Sequence, residues 1–182
     1  MGIQIDTKRY SLAEYLEMEE LSEGKNEFFN GRIVERTLFA PEHSLISANF
    51  LRAFGNAVAE ENFRVFEGSL MIQIQDLDTV LYADGSVFCD PLDQNPVHRN
   101  LVRNPYLIFE VGSSRFFKFQ MLRSLTTYIF VEQEEPTVHL AIKNGSGNWS
   151  VTDYFGLDTM LDIKPIGISI GMAPIYEWID FK

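Results

Sequence analysis

Two acidic residues stand inside stretches of sequence that are otherwise apolar. Asp84 lies in YADGSVFCD (residues 82–90), and Glu110 lies in YLIFEVGSS (residues 106–114). Both stretches are typical of central strands that are covered on both faces. An unpaired carboxylate in such a place costs on the order of several kcal/mol. Each acid must therefore be protonated, paired with a cation or bound to a metal ion.

Two carboxylates on neighbouring strands repel each other unless a cation lies between them. A hard divalent ion such as Mg²⁺ uses one or two carboxylates and keeps its remaining positions for water and phosphate oxygens. We therefore expect Asp84 and Glu110 to share one ion. The alternative is that each acid has its own arginine, lysine or backbone partner, and the sequence leaves both interpretations open.

Four other polar residues could complete such a site. Lys118 follows Glu110 in a short predicted helix and could lean back toward the end of the strand. Glu27 begins a predicted hairpin, and His43 precedes the second predicted helix. Gln73, on the polar face of its strand, is the weakest candidate. Each of the four also has a structural interpretation as a solvated, capping or surface residue.

The elements that must position these residues begin with a helix and a hairpin. Ser11 and Glu14 form a capping box that predicts a helix over SLAEYLEMEELSE. The pair Asn30-Gly31 lies between two apolar runs, which favours a type I′ hairpin. Apolar residues at three- and four-residue spacing then predict a second helix from Ser44 to about Glu60, beginning just after His43.

The remainder of the chain alternates strands with one short helix. FRVFEG, LMIQIQ, TVLYADGSVFC and YLIFEV read as strands, and FFKFQMLRSL reads as a helix with Phe117, Met121 and Leu125 on its apolar stripe. TTYIFVE, TVHLAIK and NWSVTDYF are again strands, the last two joined by the turn-like NGSGN. The order predicts a mixed α/β (α+β) domain with a central mixed sheet flanked by helices.

Composition restricts the class of protein. A chain of 182 residues with 46% apolar residues is large enough for a single domain over residues 1–182. No apolar run approaches the roughly 18 to 20 residues that span a bilayer, and the amino terminus lacks the layout of a secretory signal, so we expect a cytoplasmic protein. The net charge of −11 argues against a protein that mainly grips nucleic acid, unless part of the acidity belongs to a cation site.

Taken together, these residues resemble the Uma-two family of predicted restriction endonucleases. The resemblance rests on YSLAEYLEMEE, KNEFFNGRIVE, HSLISANFLRAFGN, YADGSVFCD, NPYLIFEVGSS, KFQMLRSL, YIFVEQ and APIYEWIDF, in the order of the family's blocks. It implies the PD-(D/E)xK nuclease fold, a restriction endonuclease-like core. It also implies roles for individual residues: Asp84 matches the aspartate of the "PD" strand and Glu110 the acid of the next strand. Lys118 matches a lysine displaced into the following helix, Glu27 the acid of the hairpin block, and His43 the histidine that opens the second helix.

The chain departs from the family pattern at several positions. Ala83 replaces the usual proline before the aspartate, and Gly112 stands where the wider superfamily has its lysine. The stretch EVGSSRFFKF is several residues shorter than is usual between acid and lysine, and Leu122 replaces a common tyrosine. A deletion here could move Lys118 out of reach of the site.

The resemblance and the buried acids together predict Mg²⁺- or Mn²⁺-dependent hydrolysis of DNA phosphodiester bonds. Asp84, Glu110 and the backbone carbonyl of Val111 would hold the ion, and Lys118 would orient a water or stabilise negative charge. By analogy with nucleases of this fold, we also expect a homodimer. Two alternatives remain: a nuclease-like domain that has lost catalysis and serves as a binding or assembly module, and a structural globule. The globule alternative pairs the acids with arginines at positions 32, 64 or 123.

Overall fold

The structure is a computed structural model, and it describes residues 8–36, 39–58 and 62–181. Its amino-terminal part is a helix followed by a hairpin, as the sequence predicts. Helix α1 spans Leu12–Glu20, and both hydrogen bonds of the capping box of Ser11 are present. Strands β1 (Asn26–Phe29) and β2 (Arg32–Glu35) pair antiparallel around Asn30 and Gly31. Both turn residues have positive φ, +44° and +84°, which is the requirement of a type I′ turn.

Helix α2 begins earlier than its apolar pattern predicts. It spans Pro41–Ala57, so the prediction that His43 precedes the helix is wrong: His43 is the third helical residue. Pro41 fits the first position because its φ is already helical and its missing N–H has no helical partner there. The predicted end at Glu60 lies outside the described residues.

The described strands form two main sheets and one small hairpin. The strands after the first hairpin are β3 Arg64–Glu67, β4 Met71–Ile74, β5 Thr79–Tyr82, β6 Gly85–Phe88, β7 Leu101–Val102, β8 Leu107–Val111, β9 Thr127–Val131, β10 Thr137–Lys143, β11 Trp149–Phe155, β12 Met160–Ile163 and β13 Ile168–Gly171. A five-stranded sheet has the order β2-β1-β5-β4-β7, a six-stranded sheet has the order β11-β10-β9-β8-β6-β3, and β12 pairs with β13. Because β8 pairs antiparallel with β6 and parallel with β9, the larger sheet is mixed. The expected α+β architecture with a central mixed sheet is confirmed.

The predicted continuous strand TVLYADGSVFC is interrupted in the middle. Its first part is β5 in the five-stranded sheet and its second part is β6 in the six-stranded sheet. Ala83 and Asp84 are the two residues that connect these parts. The chain therefore changes from one sheet to the other at Asp84.

The helix after β8 is shorter than predicted and buries a different face. Helix α3 spans only Phe116–Phe119, followed by turns. Phe117 is 64% exposed and Met121 is 44% exposed, so the predicted stripe of these residues with Leu125 is wrong. Phe119 and Leu122 are buried instead and pack with Leu125. A single helical turn gives no 3.6-residue stripe, so packing against the sheet decides which side chains are buried.

The main core lies between α2 and the six-stranded sheet. Phe50 of α2 packs against Phe109 of β8 with ring centroids 4.3 Å apart and a tilt of 33° between the rings, and α4 (Met172–Ile175) also packs on α2. Gly85 allows the ring of Phe109 to approach closely, because a Cβ at this position would lie 2.1 Å from its Cε1. This packing fixes β6 beside β8. In the described part of the chain, no helix is long and apolar enough to cross a membrane.

Candidate functional site

The junction between the two sheets places Asp84, the residue before β6, beside Glu110 of β8. Gly85 of β6 is in register with Phe109 of β8, so Asp84 and Glu110 are opposite each other one position further along. The backbone N–H of Val111 donates to Asp84 Oδ2 at 2.8 Å. The expected adjacency of the two acids is present, and it results from the antiparallel register of β6 and β8.

Asp84 is held by two side chains from outside the larger sheet. Arg36, directly after β2, donates from Nη2 to Oδ1 at 2.6 Å, and His43 Nε2 lies 3.2 Å from Oδ2. The ring of Phe39 stacks on His43 with centroids 3.8 Å apart. Burial alone raises the pKa of Asp84, but the hydrogen bond and charge of His43, with the charge of Arg36, hold this pKa below its ordinary value. Asp84 is therefore poised to remain ionised.

Glu110 is fully buried and is contacted mainly by one residue. Arg115 donates to Glu110 Oε2 from its backbone N–H at 2.7 Å and to Oε1 from Nε at 2.6 Å. The hydroxyl of Tyr128 on β9 also donates to Oε2. Burial raises the pKa of Glu110 above its ordinary value, although the charge of Arg115 and the hydrogen bonds from Tyr128 and Arg115 act in the opposite direction. The two acids thus have different cationic partners.

Arg115 also connects Glu110 to the amino-terminal hairpin. Its Nη1 donates to Glu27 Oε1, and its Nη2 donates to the carbonyl oxygen of Tyr82 at 2.5 Å. Glu27 Oε1 in turn accepts the backbone N–H of Tyr82 at 3.1 Å. Although burial alone lowers the pKa of Arg115, the charges of Glu110 and Glu27 raise it above its ordinary value. Arg115 is therefore a permanent cation bound by two carboxylates and a carbonyl.

Lys118 lies near this network. Its ammonium lies 3.6 Å from the ring centroid of Phe29, at the end of the strand that carries Glu27. Burial lowers the pKa of Lys118, while the negative charge of Glu27 opposes this shift. Among the described residues, the cation that contacts Glu110 is Arg115, and no ion pair joins Lys118 to Glu110 or Asp84.

A cleft of about 240 Å³ opens onto these residues. Its polar lining includes Arg36, Asp84 and Arg115, and its apolar lining includes Phe29 and Phe39. The Nε–H of Arg36 is buried and has no hydrogen-bond partner in the described part of the chain. Two glutamates line it as well, so the cleft contains three carboxylates beside its two guanidinium groups. The guanidinium and aromatic groups are of the types that bind a phosphate and a neighbouring base, and the carboxylates favour a cation.

The oxygens at the junction fit a hard divalent ion by type. Carboxylate oxygens of Asp84 and Glu110 and the carbonyl oxygen of Val111 are ligands that Mg²⁺ and Mn²⁺ prefer. The guanidinium of Arg115 stands in for a cation between Glu110 and Glu27, so this place favours positive charge. Protein donors, however, already engage these oxygens, including the Val111 carbonyl, which accepts from the backbone N–H of Ser113 at 2.8 Å. Across the described residues, no three histidine, cysteine or acidic side chains gather as a metal site.

Sequence reasoning missed the arginines that pair with the acids. The structural-globule alternative pairs the acids with arginines at positions 32, 64 or 123. In the structure, Arg36 pairs with Asp84 and Arg115 pairs with Glu110. Arg64 donates to the carbonyl of Asp90 instead, and Gln73 lines a separate cavity of about 300 Å³. The sequence feature that indicates the partner of Glu110 is the position of Arg115, five residues after Glu110 and directly after EVGSS. Arg36 had no comparable signal because it reaches Asp84 only through the pairing of β1 with β5.

Comparisons with known proteins agree with this fold. The sequence profile of Uma2, described as "Putative restriction endonuclease", matches residues 12–173. Two uncharacterised proteins of Synechocystis are similar: slr1290 is 30% identical over 95% of this chain and 94% of its own length, and sll1609 is 24% identical over 90% and 98%. A crystal structure titled as a putative nuclease belonging to DUF820, from Anabaena variabilis, superposes with a TM-score of 0.72. It shares 16% identity and covers 93% of this chain and 98% of that one.

Proposed function

Because the chain belongs to the Uma2 family, described as "Putative restriction endonuclease", we propose that it is a metal-dependent nuclease that hydrolyses DNA phosphodiester bonds. The observation that carries this proposal is the placement of Asp84, directly before β6, beside Glu110 of β8 at the sheet junction, with Asp84 lining an open cleft. Asp84 lines this cleft, whereas Glu110 is fully buried. A hard divalent ion on a phosphate uses one or two carboxylates and takes its other ligands from water and phosphate oxygens.

Asp84, Glu110 and the carbonyl oxygen of Val111 would hold Mg²⁺ or Mn²⁺. When bound, such an ion neutralises charge on the phosphate and lowers the pKa of a coordinated water. The chain's own residues supply the remaining functions. His43 keeps Asp84 oriented and ionised, and it can accept or donate a proton at Nε2.

The cleft also contains groups that can bind the DNA backbone. Arg36 lines it with a side chain that is 11% exposed, so its guanidinium could contact a phosphate oxygen. Lys118 lies over the ring of Phe29, which lines the cleft, and adds a positive charge near it. Since the whole chain carries a net charge of −11, these local cations must compensate for an otherwise repulsive surface, and we expect binding to weaken steeply with salt.

The test is cleavage of plasmid and single-stranded DNA by the purified protein with Mg²⁺, Mn²⁺ or EDTA. We expect metal-dependent cutting, and a loss of at least about 100-fold in rate for Asp84→Ala and for Glu110→Ala, because each removes a ligand. Asp158→Asn, an exposed acid in a turn, is the matched control and should cut as the parent does. Equal cutting by Asp84→Ala, Glu110→Ala and the parent would contradict the proposal.

A second function is favoured by one specific observation. Protein donors engage the carboxylates of Asp84 and Glu110, which is what a domain that had lost catalysis and become a binding or assembly module would need for stability. Such a module would bind its partner with no saturable uptake of Mg²⁺ or Mn²⁺. A metal titration of the parent and Glu110→Ala therefore separates the two functions.

We further propose that the protein acts on cytoplasmic DNA as a homodimer. A pair of sites would allow both strands of a duplex to be cut. Edge strand β11, with Val151 59% exposed and Phe155 64% exposed, is a surface that a second copy could cover. Light scattering of Val151→Lys against the parent tests this: the parent should have twice the mass of the variant.

A further inference from the structure

We propose that Arg115 is a resident cation that competes with a divalent ion for Glu110, so that metal binds only when the guanidinium leaves. The identity of the competing ion rests on the function proposed above. The competition itself rests on the contacts of Arg115, because each of its three guanidinium nitrogens has an acceptor at the sheet junction.

Glu110 explains why such a cation is needed. Its side chain is fully buried, and a buried carboxylate without a positive partner is strongly destabilising. Arg115 provides this partner through its backbone N–H and its guanidinium, and it neutralises Glu27 at the same time. The protein can therefore fold with no divalent ion, in contrast to a site whose acids repel one another until a metal arrives.

The same contacts make arginine and metal mutually exclusive at Glu110. Arg115 Nε donates a hydrogen bond to Glu110 Oε1. The backbone N–H of Arg115 and the hydroxyl of Tyr128 both donate to Glu110 Oε2. A divalent ion at either oxygen would meet the positive guanidinium within a few ångströms, where like charges repel strongly in a buried setting. Metal binding must therefore include displacement of the Arg115 side chain.

The surroundings of Arg115 provide a route for this displacement. Its side chain is 19% exposed and lines the cleft, so the guanidinium can rotate toward solvent without crossing the core. The preceding residues Gly112, Ser113 and Ser114 are exposed, and Gly112 has a φ of +68°. Once released into the cleft, the guanidinium would face the place where a phosphate of the substrate lies, which links substrate binding to metal uptake.

Titration with Mn²⁺, followed by the electron paramagnetic resonance signal of the free ion, tests the competition. We compare the parent with Arg115→Gln and Arg115→Lys, and use Arg123→Gln, at an exposed position of the following turn, as the matched control. Arg115→Gln should bind Mn²⁺ at least about ten-fold more tightly than the parent, because no charge has to be displaced. Arg123→Gln should bind as the parent does, and Glu110→Gln combined with Arg115→Gln should lose the tight site.

Thermal unfolding gives a second readout that is independent of DNA cleavage. Without metal, Arg115→Gln should melt below the parent, and Mn²⁺ should raise its melting temperature more than that of the parent. If Arg115→Gln does not fold even with Mn²⁺, Arg115→Lys decides: it keeps the charge but makes fewer hydrogen bonds, so it should bind Mn²⁺ more tightly than the parent.

If the folded Arg115 variants bind Mn²⁺ no more tightly than the parent does, the proposed competition is wrong, whatever the DNA assay gives. Tight Mn²⁺ binding without DNA cleavage would leave the competition standing and contradict the nuclease function alone.

Discussion

Removal of Arg115 should destabilise the metal-free protein far more than removal of both Arg115 and Glu110. In Arg115→Met, the fully buried carboxylate of Glu110 loses its only direct ion-pair partner among the described residues. Breaking a buried ion pair on one side costs about 3–5 kcal/mol, whereas replacing both charges with neutral groups is often close to neutral. In Glu110→Gln, by contrast, Arg115 keeps Glu27 and the Tyr82 carbonyl as acceptors, so we expect a smaller loss of about 1–3 kcal/mol.

The assay is urea unfolding at pH 7 in EDTA, applied to the parent, the two single variants and the double variant. The free energy of unfolding should fall most in Arg115→Met and should recover in part in the double variant, because Glu110 is then neutral while Glu27 still lacks its arginine. The difference gives the coupling energy of Arg115 with Glu110. Burial already raises the pKa of Glu110, and loss of Arg115 raises it further. Below this pKa the carboxyl of Glu110 takes up a proton in the folded state. The difference in free energy of unfolding between Arg115→Met and the parent should therefore shrink as the pH falls toward about 5.

Arg123→Met, at an exposed position, is the control and should change stability by less than about 0.5 kcal/mol. The reasoning is refuted if Arg115→Met unfolds like this control. It is equally refuted if the double variant is as unstable as Arg115→Met, because the cost would then come from lost packing or from Glu27 and not from the uncompensated charge of Glu110.

Local signals in the sequence predict the local elements well. The capping box at Ser11 and the hairpin at Asn30-Gly31 are present because their hydrogen bonds and dihedral angles involve only a few consecutive residues. The hairpin of β10 and β11 around NGSGN is present for the same reason. The expected adjacency of Asp84 and Glu110 is present as well, although apolar character indicates only that a strand is covered on both faces and not which strand lies beside it.

Long-range pairing decides the features that the sequence does not reveal. The crossing from β5 to β6 depends on which sheet each part of TVLYADGSVFC joins. The sequence does not reveal this because the two parts are equally apolar. Helix α3 is too short for a periodic pattern to report its buried face. The pairing of Asp84 with Arg36 spans 48 residues and exists only after both sheets have assembled, so neither composition nor spacing points to it. The resemblance to a family indicates which acids matter, but it does not indicate the cations that this chain places on them.

Two further perturbations test the junction itself. Gly85→Ala should cost about 1–3 kcal/mol in urea unfolding, because its Cβ would lie 2.1 Å from Cε1 of Phe109. Gly55→Ala, in α2 with nothing within 4 Å of the added Cβ, is its control and should be neutral or stabilising by up to about 1 kcal/mol; equal losses in the two variants would contradict the close approach at Gly85. The free energy of unfolding of Asp84→Asn should depend less on pH in the acid range than that of the parent. The pKa of Asp84 is lowered from 3.8 by folding, so above about pH 4 its charged form contributes its full stabilisation. As the pH falls through the lowered pKa, the folded carboxylate takes up the proton that the unfolded chain already holds, and that contribution disappears. Urea unfolding between about pH 5 and pH 2 should therefore show the parent losing more stability than Asp84→Asn, so that the two curves converge. Curves that stay parallel over this range would mean that the ionised form of Asp84 gains nothing from its partners in the folded protein.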